Sequence, residues 1–177
     1  MYSSDPETQA FFERWEALGE TPPPFRIADN DAEHHGDGAH TLDRHGPEIP
    51  LERDPSQKTI EGRIHGDTGW RKKENWSYRW IDRTTMQRTV DEYIAANWES
   101  IRTELADQGS YAVSFDAHHL TGEGYGNANK GTQLDPDPRY GRTSWARIIF
   151  DLVPDSDPPE PFIVTAYPLG QPPSPQQ

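Results

Sequence analysis

Trp145-Ala146-Arg147-Ile148-Ile149-Phe150-Asp151-Leu152-Val153 is followed, after the Pro154–Pro161 turn, by Phe162-Ile163-Val164-Thr165-Ala166-Tyr167. These two runs decide the fold class. Each is short, rich in β-branched and aromatic residues, and bounded by proline. They predict two strands that pair as an antiparallel hairpin. Tyr111-Ala112-Val113-Ser114-Phe115 alternates in the same manner and predicts a third strand. Upstream, Met86, Val90, Tyr93/Ile94, Asn97/Trp98, Ile101 and Leu105 recur at three- and four-residue steps. That spacing predicts a helix over 84–107, capped by Thr84 or Thr85 and closed by Gly109. Helices first and a small antiparallel sheet afterwards make an α+β class.

Working outward, residues 5–18 predict a short amphipathic helix with Phe11, Phe12, Trp15 and Leu18 on one side. Ser4 or Asp5 is the cap and Pro6 the first helical position. Residues 19–39, rich in Pro, Asp, Gly and His, read as an irregular arm. His40–His45 reads as a short helix closed by Gly46-Pro47, and a second short helix is expected around Lys58–His65. Gly122 to Pro138 reads as a loop rich in Gly, Asn, Asp and Pro. Gln171–Gln177 reads as a disordered, proline-rich tail. The expected organisation is an acidic arm over 1–36, a domain over 37–170 and the tail over 171–177.

The 177 residues hold 17 Lys+Arg against 30 Asp+Glu, a net charge of −13, and contain no cysteine. There is no thiolate chemistry and no disulfide framework. No apolar run is long enough to span a membrane, and the first residues lack the basic and apolar regions of a signal peptide. Such acidity argues against general nucleic-acid binding, whose affinity comes from Lys and Arg. The charge is uneven, however. Residues 1–40 carry nine acids and two bases, whereas residues 58–88 carry eight bases and four acids. The basic stretch also holds Trp70, Trp76, Tyr78 and Trp80, a mixture that suits phosphates and unstacked bases. The alternative is a solvated face with core tryptophans.

Among the seven histidines, four fall within His34–His45. His34-His35 reads as an exposed loop pair. A zinc site built from His40, His45 and Asp37 is disfavoured, because no H-E-x-x-H occurs and five residues separate the two histidines. Thr165 and Tyr167, two apart on a predicted strand, share one face. Their hydroxyls form a donor pair, or simply follow the strand preference of Thr and Tyr. No G-x-S-x-G elbow and no phosphate-binding G-x-x-x-x-G-K-[ST] is present.

Four landmarks in order carry a family resemblance. They are Gly38-Ala39-His40-Thr41-Leu42-Asp43-Arg44-His45-Gly46, Ile60-Glu61-Gly62-Arg63-Ile64, Ser77-Tyr78-Arg79-Trp80-Ile81-Asp82-Arg83 ahead of the long helix, and Ile163-Val164-Thr165-Ala166-Tyr167-Pro168. Together they resemble the bacterial RNase A-like toxin domain found at the C-termini of contact-dependent growth-inhibition and other polymorphic toxin proteins. The resemblance implies a two-lobed α+β domain without disulfides. It implies a metal-independent endoribonuclease that needs no cofactor and uses His45, Arg63, Thr165 and Tyr167. His40 is the alternative histidine and Arg53 the alternative arginine. His40, Lys72 and Trp80 are candidate substrate contacts. The implied partners are RNA, with tRNA as one candidate, and a cognate immunity protein. The implied setting is delivery into a competitor cell, as a stand-alone effector or an excised toxin module. The competing expectations are a catalytically inactive binding relative and a barnase- or colicin-like ribonuclease of different topology.

Overall fold

The structure is a computed structural model that describes residues 5–129 and 134–171. The predicted tail beyond residue 171, and Ser4 as a cap, lie outside the described residues. Five α-helices and six strands are found among these residues. They are α1 (Pro6–Leu18), α2 (Ile27–Glu33), α3 (Thr41–His45), α4 (Gly62–His65), β1 (Trp76–Trp80), α5 (Arg83–Gln108), β2 (Ser110–Asp116), β3 (Gly122–Asn127), β4 (Pro138–Thr143), β5 (Trp145–Leu152) and β6 (Pro161–Pro168). The strands form two three-stranded antiparallel sheets, ordered β1-β3-β4 and β2-β5-β6. The class is α+β, as the pattern predicts. No described helix is long and apolar enough to cross a membrane.

The chain divides into two compact units. The first comprises Met1–His40, Val90–Val113 and Ile148–Thr165, and the second comprises Thr41–Thr89, Ser114–Arg147 and Ala166–Gln177. The division falls within α5, β2, β5 and β6, so each of these elements contributes residues to both.

In the first unit the apolar stripe of α5 buries Ile94, Trp98, Ile101 and Leu105, and the strands add Phe150, Phe162 and Ile163. Phe25 packs edge-on against Phe150, with ring centroids 5.8 Å apart. Helix α1 starts as predicted, with the Asp5 carboxylate accepting from the Thr8 N–H at 3.1 Å. Its aromatic side is not a buried stripe: only Leu18 is buried, and Phe12 is 52 % exposed. Polar contacts hold α1 to α5 instead. Arg14 Nε donates to the Ala106 carbonyl at 2.7 Å, and Arg102 Nε donates to the Trp15 carbonyl at the same distance, its guanidinium 3.4 Å from the Trp15 ring centre. The expected irregular arm contains α2. That helix owes its place to Asn30, buried at 7 % exposure. Its side chain donates to the Ile163 carbonyl at 2.7 Å and accepts the Ile163 N–H at 2.9 Å. A single buried amide satisfies two strand groups here, which composition alone does not reveal.

In the second unit β3 is the central strand between β1 and β4, with Tyr78 opposite Gly124 and Gly124 opposite Gly141. This corrects the loop expected over 122–138. The glycines of Gly122-Glu123-Gly124-Tyr125-Gly126 are there for close approach, not turning. A Cβ at Gly124 would meet the Ser77 carbonyl and Tyr78 Cα, and one at Gly126 would meet the Trp76 ring, each closer than 3.0 Å. Trp80 is fully buried, and its Nε1 donates to the Ala166 carbonyl at 2.9 Å. The Ala166 N–H in turn donates to the buried Thr41 hydroxyl at 2.9 Å. Helix α4 is shorter than the expected 58–65 helix. Helix α5 is capped by Asp82, not by Thr84 or Thr85: the Asp82 carboxylate accepts the Thr85 N–H at 2.7 Å. Gly109, at φ 78°, ends that helix as predicted.

Candidate functional site

The predicted catalytic residues fall largely in the second unit. His45 ends α3, which packs on β1. Its Nδ1 lies 3.0 Å from the Tyr78 carbonyl oxygen. A carbonyl only accepts, so Nδ1 carries a proton and donates it. β1 is an edge strand of its sheet, and an edge strand leaves backbone groups for other partners. The His45 ring also stacks on Tyr167, with centroids 4.7 Å apart and planes 21° apart. Hydrogen bond and stack together fix the orientation of the imidazole. Gly46 follows directly, and a Cβ there would strike the Leu42 carbonyl at 2.6 Å.

Arg63 lies on α4 and is 8 % exposed. Its Nε is fully enclosed and makes no hydrogen bond to the protein. Burial lowers the guanidinium pKa from its ordinary value, opposed by the nearby Glu74 carboxylate, while Arg44 and Tyr167 are also within electrostatic reach. The charge stays, because arginine is not deprotonated in proteins. The guanidinium sits 4.8 Å from the Trp70 ring centre. Trp70 itself is fixed by its Nε1, which donates to the Thr59 carbonyl at 2.7 Å. Arg63 also borders a cavity of 530 Å³ lined by Asp43, Arg44, Trp70, Arg71 and Lys72 as well.

Tyr167 is half-buried on β6. Burial pushes its phenol above the usual value, and the Arg147 and Arg63 cations pull the other way. It therefore remains a hydrogen-bond donor throughout the neutral range. Thr165 precedes it by two residues on the same strand and so shares its face. The Thr165 hydroxyl is buried and has no hydrogen-bond partner in the protein. Buried polar side-chain atoms without partners are uncommon in folded proteins. Of the four found among the described residues, on Arg63, Ser77, Arg79 and Thr165, two belong to the predicted catalytic set.

The alternatives fare differently. Arg53 is committed to Asp67, with Nε and Nη2 at 2.9 and 3.1 Å from its carboxylate oxygens. His40 belongs to the first unit, where its Nδ1 lies 2.7 Å from the Gly38 carbonyl and its N–H donates to Val164 at 3.0 Å. Lys72 is exposed at the cavity and pairs with Glu74 at 3.2 Å. Trp80 is fully buried, so it supports the strand carrying Tyr167 and offers no face to a base. The expected exposed pair His34-His35 is half wrong. His34 is buried, stacked on Phe162 at 4.7 Å, with Nδ1 3.1 Å from Asp37. It also shares, with Glu33 and Glu160, a grouping whose ligand atoms lie within 4.8 Å of one another; both acids are exposed, a common arrangement without a metal.

Sequence reasoning missed Arg147 and Arg44 as site residues, and singled out Trp70 only as part of the basic, aromatic stretch. Arg147 sits on β5 and acts on Tyr167 across the sheet, its Nη1 donating to the Ser114 hydroxyl at 2.9 Å. The signal was a single cation inside an apolar strand, Trp145-Ala146-Arg147-Ile148. A charge there needs a polar partner or a task.

No family model matches the chain, and no curated protein matches it. Among solved structures, a chain of the CdiA-CT/CdiI complex from Y. kristensenii is similar in fold, with a TM-score of 0.50 and 19 % sequence identity. The match covers 74 % of this chain and 99 % of that one, so what the two share is the fold of nearly all of that chain.

Proposed function

We propose that the chain is a metal-independent endoribonuclease toxin of interbacterial competition, with His45 as its base. The observation that carries this reading is the His45 imidazole, held by the Tyr78 carbonyl on one side and the Tyr167 ring on its face. An imidazole held in one orientation with Nδ1 donating to a carbonyl is the arrangement a general base uses. The Arg63 guanidinium, whose Nε has no partner in the protein, and the protonated Tyr167 supply the other half, donors suited to a phosphoryl group. Thr165, two residues before Tyr167, is the further donor that the resemblance implies.

RNA brings its own nucleophile. Nε2 of His45 takes the proton from the 2′-hydroxyl as O2′ forms a bond to phosphorus. Arg63, Thr165 and Tyr167 donate to the non-bridging oxygens, where negative charge accumulates. The bond from phosphorus to O5′ breaks, and Tyr167 protonates the departing oxygen; an alkoxide is a stronger base than a phenolate, even one with a raised pKa. The products are a 2′,3′-cyclic phosphate and a 5′-hydroxyl end. Between turnovers the imidazolium gives up its proton and the Tyr167 phenolate regains one, through water, so both groups return to their starting states.

The fold neighbour is named as CdiA-CT in complex with CdiI, and the sequence landmarks point to the same class of toxin. On that pattern the producer makes an immunity protein that binds this chain, and the toxin acts in the cytoplasm of a target cell. The test is to incubate the purified protein with tRNA in EDTA. Cleavage leaving cyclic phosphate ends is expected. Intact RNA at high protein concentration would overturn the proposal.

A further inference from the structure

We propose that the cavity bordered by Arg63, Arg71 and Lys72 is a second phosphate subsite, which holds the backbone phosphate next to the scissile one. This rests on the ribonuclease reading of Arg63 and deepens it.

Three observations carry the subsite. Charge is the first. Arg44, Arg63, Arg71 and Lys72 line the cavity against one lining acid, Asp43, with Glu74 beside them paired to the exposed Lys72 at 3.2 Å. Asp43 is already engaged, because Lys58 Nζ lies 3.1 Å from its carboxylate and also donates to its carbonyl. A net positive wall in a chain of charge −13 is a local reversal, and concave walls of one sign concentrate an oppositely charged ligand. Position is the second. The inner wall is the 8 % exposed Arg63, whose Nε has no hydrogen-bond acceptor in the protein and which is assigned to the reacting phosphate, so the rest of the cavity opens beside that phosphate. An arginine fork of fixed geometry is matched by a phosphate. Shape is the third. A volume of 530 Å³ lies in the range of small-molecule pockets and exceeds what one oxyanion fills. Trp70 stiffens the wall, with its indole hydrogen-bonded to Thr59 and both Lys58 and Arg63 over its ring, at 4.6 and 4.8 Å.

The cations are layered. Arg63 is buried and within electrostatic reach of Tyr167, so it serves the reacting phosphate. Arg71 and Lys72 are exposed at the rim and serve a neighbour. The substrate is therefore an oligonucleotide that reaches past the cleaved bond.

The test uses a fluorescent 2′-deoxy hexanucleotide, which lacks the nucleophile, in EDTA. Anisotropy gives Kd for wild type and for the Arg71→Ala/Lys72→Ala double variant over a salt series. The double variant is expected to bind about 10-fold more weakly at low salt. Its slope of log K against log salt is expected to be shallower by about 0.7, the increment for one single-strand phosphate. The charge-matched variant Arg139→Ala/Arg142→Ala should bind nearly as wild type does. An unchanged Kd and slope, or an equal loss in the charge-matched variant, would overturn the subsite. If the hexanucleotide behaves as expected while tRNA stays intact, the subsite stands and the ribonuclease reading falls.

Discussion

The His45 imidazole lies 4.7 Å from the Tyr167 ring with 21° between their planes, and its Nδ1 is held by the Tyr78 carbonyl at 3.0 Å. One ring thus links α3, β1 and β6 within the second unit. The aromatic part of Tyr167 packs on the histidine, and in the proposed mechanism its hydroxyl is the donor to the substrate. These two roles separate on substitution. Tyr167→Phe keeps the stack and removes the donor. It should lower kcat by about 100-fold or more, the scale of losing one donor to a developing charge, and leave Tm within a degree or two. His45→Ala should remove about 100- to 10,000-fold, the worth of a general base. Tyr167→Ala should add a fall in stability that Tyr167→Phe does not show. Single-turnover RNA cleavage and thermal melts measure both. Equal Tm losses in Phe and Ala variants would contradict the division of roles.

Arg63→Lys tests whether charge or geometry matters. Lysine keeps the cation but is a point donor with no fork. A buried guanidinium that cradles a phosphoryl group should not be replaced by it, so Arg63→Lys is expected to lose most of the activity that Arg63→Ala loses. Arg53→Ala, which removes an exposed partner of Asp67, should leave kcat near wild type. Steady-state kinetics on one RNA settles all three. Near-complete rescue by lysine would reduce Arg63 to a generic charge.

The long helix, the closing hairpin and the α3 histidine were legible because periodicity and short motifs report local geometry. Strand β3 was not. Its alternate glycines, Gly122, Gly124 and Gly126, look like turn residues in sequence. They are glycines because β1 backbone and aromatic atoms occupy the space of a side chain. Helix α2 was hidden for a related reason: Asn30 holds Ile163, 133 residues away, and no local pattern encodes a partner so distant. Arg63 was legible as a motif position, but its burial against Trp70 and the unpaired Nε are tertiary facts.

The glycine argument makes its own prediction. Gly124→Ala places a Cβ against the Ser77 carbonyl and Tyr78 Cα, which belong to backbone and cannot rotate away. Overpacking of this kind costs about 1–3 kcal/mol. Gly124 pairs with Tyr78, whose carbonyl holds His45, so activity should fall together with stability. Gly36→Ala meets nothing within 4 Å and should be close to neutral. Urea melts of the two variants make the comparison; a neutral Gly124→Ala would mean that β1 and β3 pack less tightly than described.

Asn30 gives a measurable figure for the buried amide in the first unit. Asn30→Ala leaves the Ile163 N–H and carbonyl without that partner in a buried setting. Each unsatisfied group costs about 1–3 kcal/mol, so a loss of roughly 2–6 kcal/mol is expected from the pair. Asn30→Asp retains the acceptor but not the donor and should fall between. Chemical denaturation reads both, and a loss below the level of an ordinary surface substitution would show that the strand does not depend on this amide.

The Arg53–Asp67 pair sets part of the acid dependence. Arg53 holds the Asp67 carboxyl below the usual carboxylate value, chiefly through the hydrogen bonds of its guanidinium. In the unfolded chain Asp67 titrates near the ordinary value of about 3.9. As pH falls through that value, the unfolded chain binds the proton first and the folded state loses stability. The contribution is present in full above the unfolded value and disappears as pH passes the lower, folded one. Arg53 is partly exposed, so the gap is at most about 1 kcal/mol. The stability difference between wild type and Asp67→Asn should therefore be constant above about pH 5 and shrink toward zero near about pH 2. Stability measured by denaturant titration at each pH tests this. A difference that grows as pH falls would require Asp67 to be protonated more readily in the folded protein, the reverse of what its partner imposes.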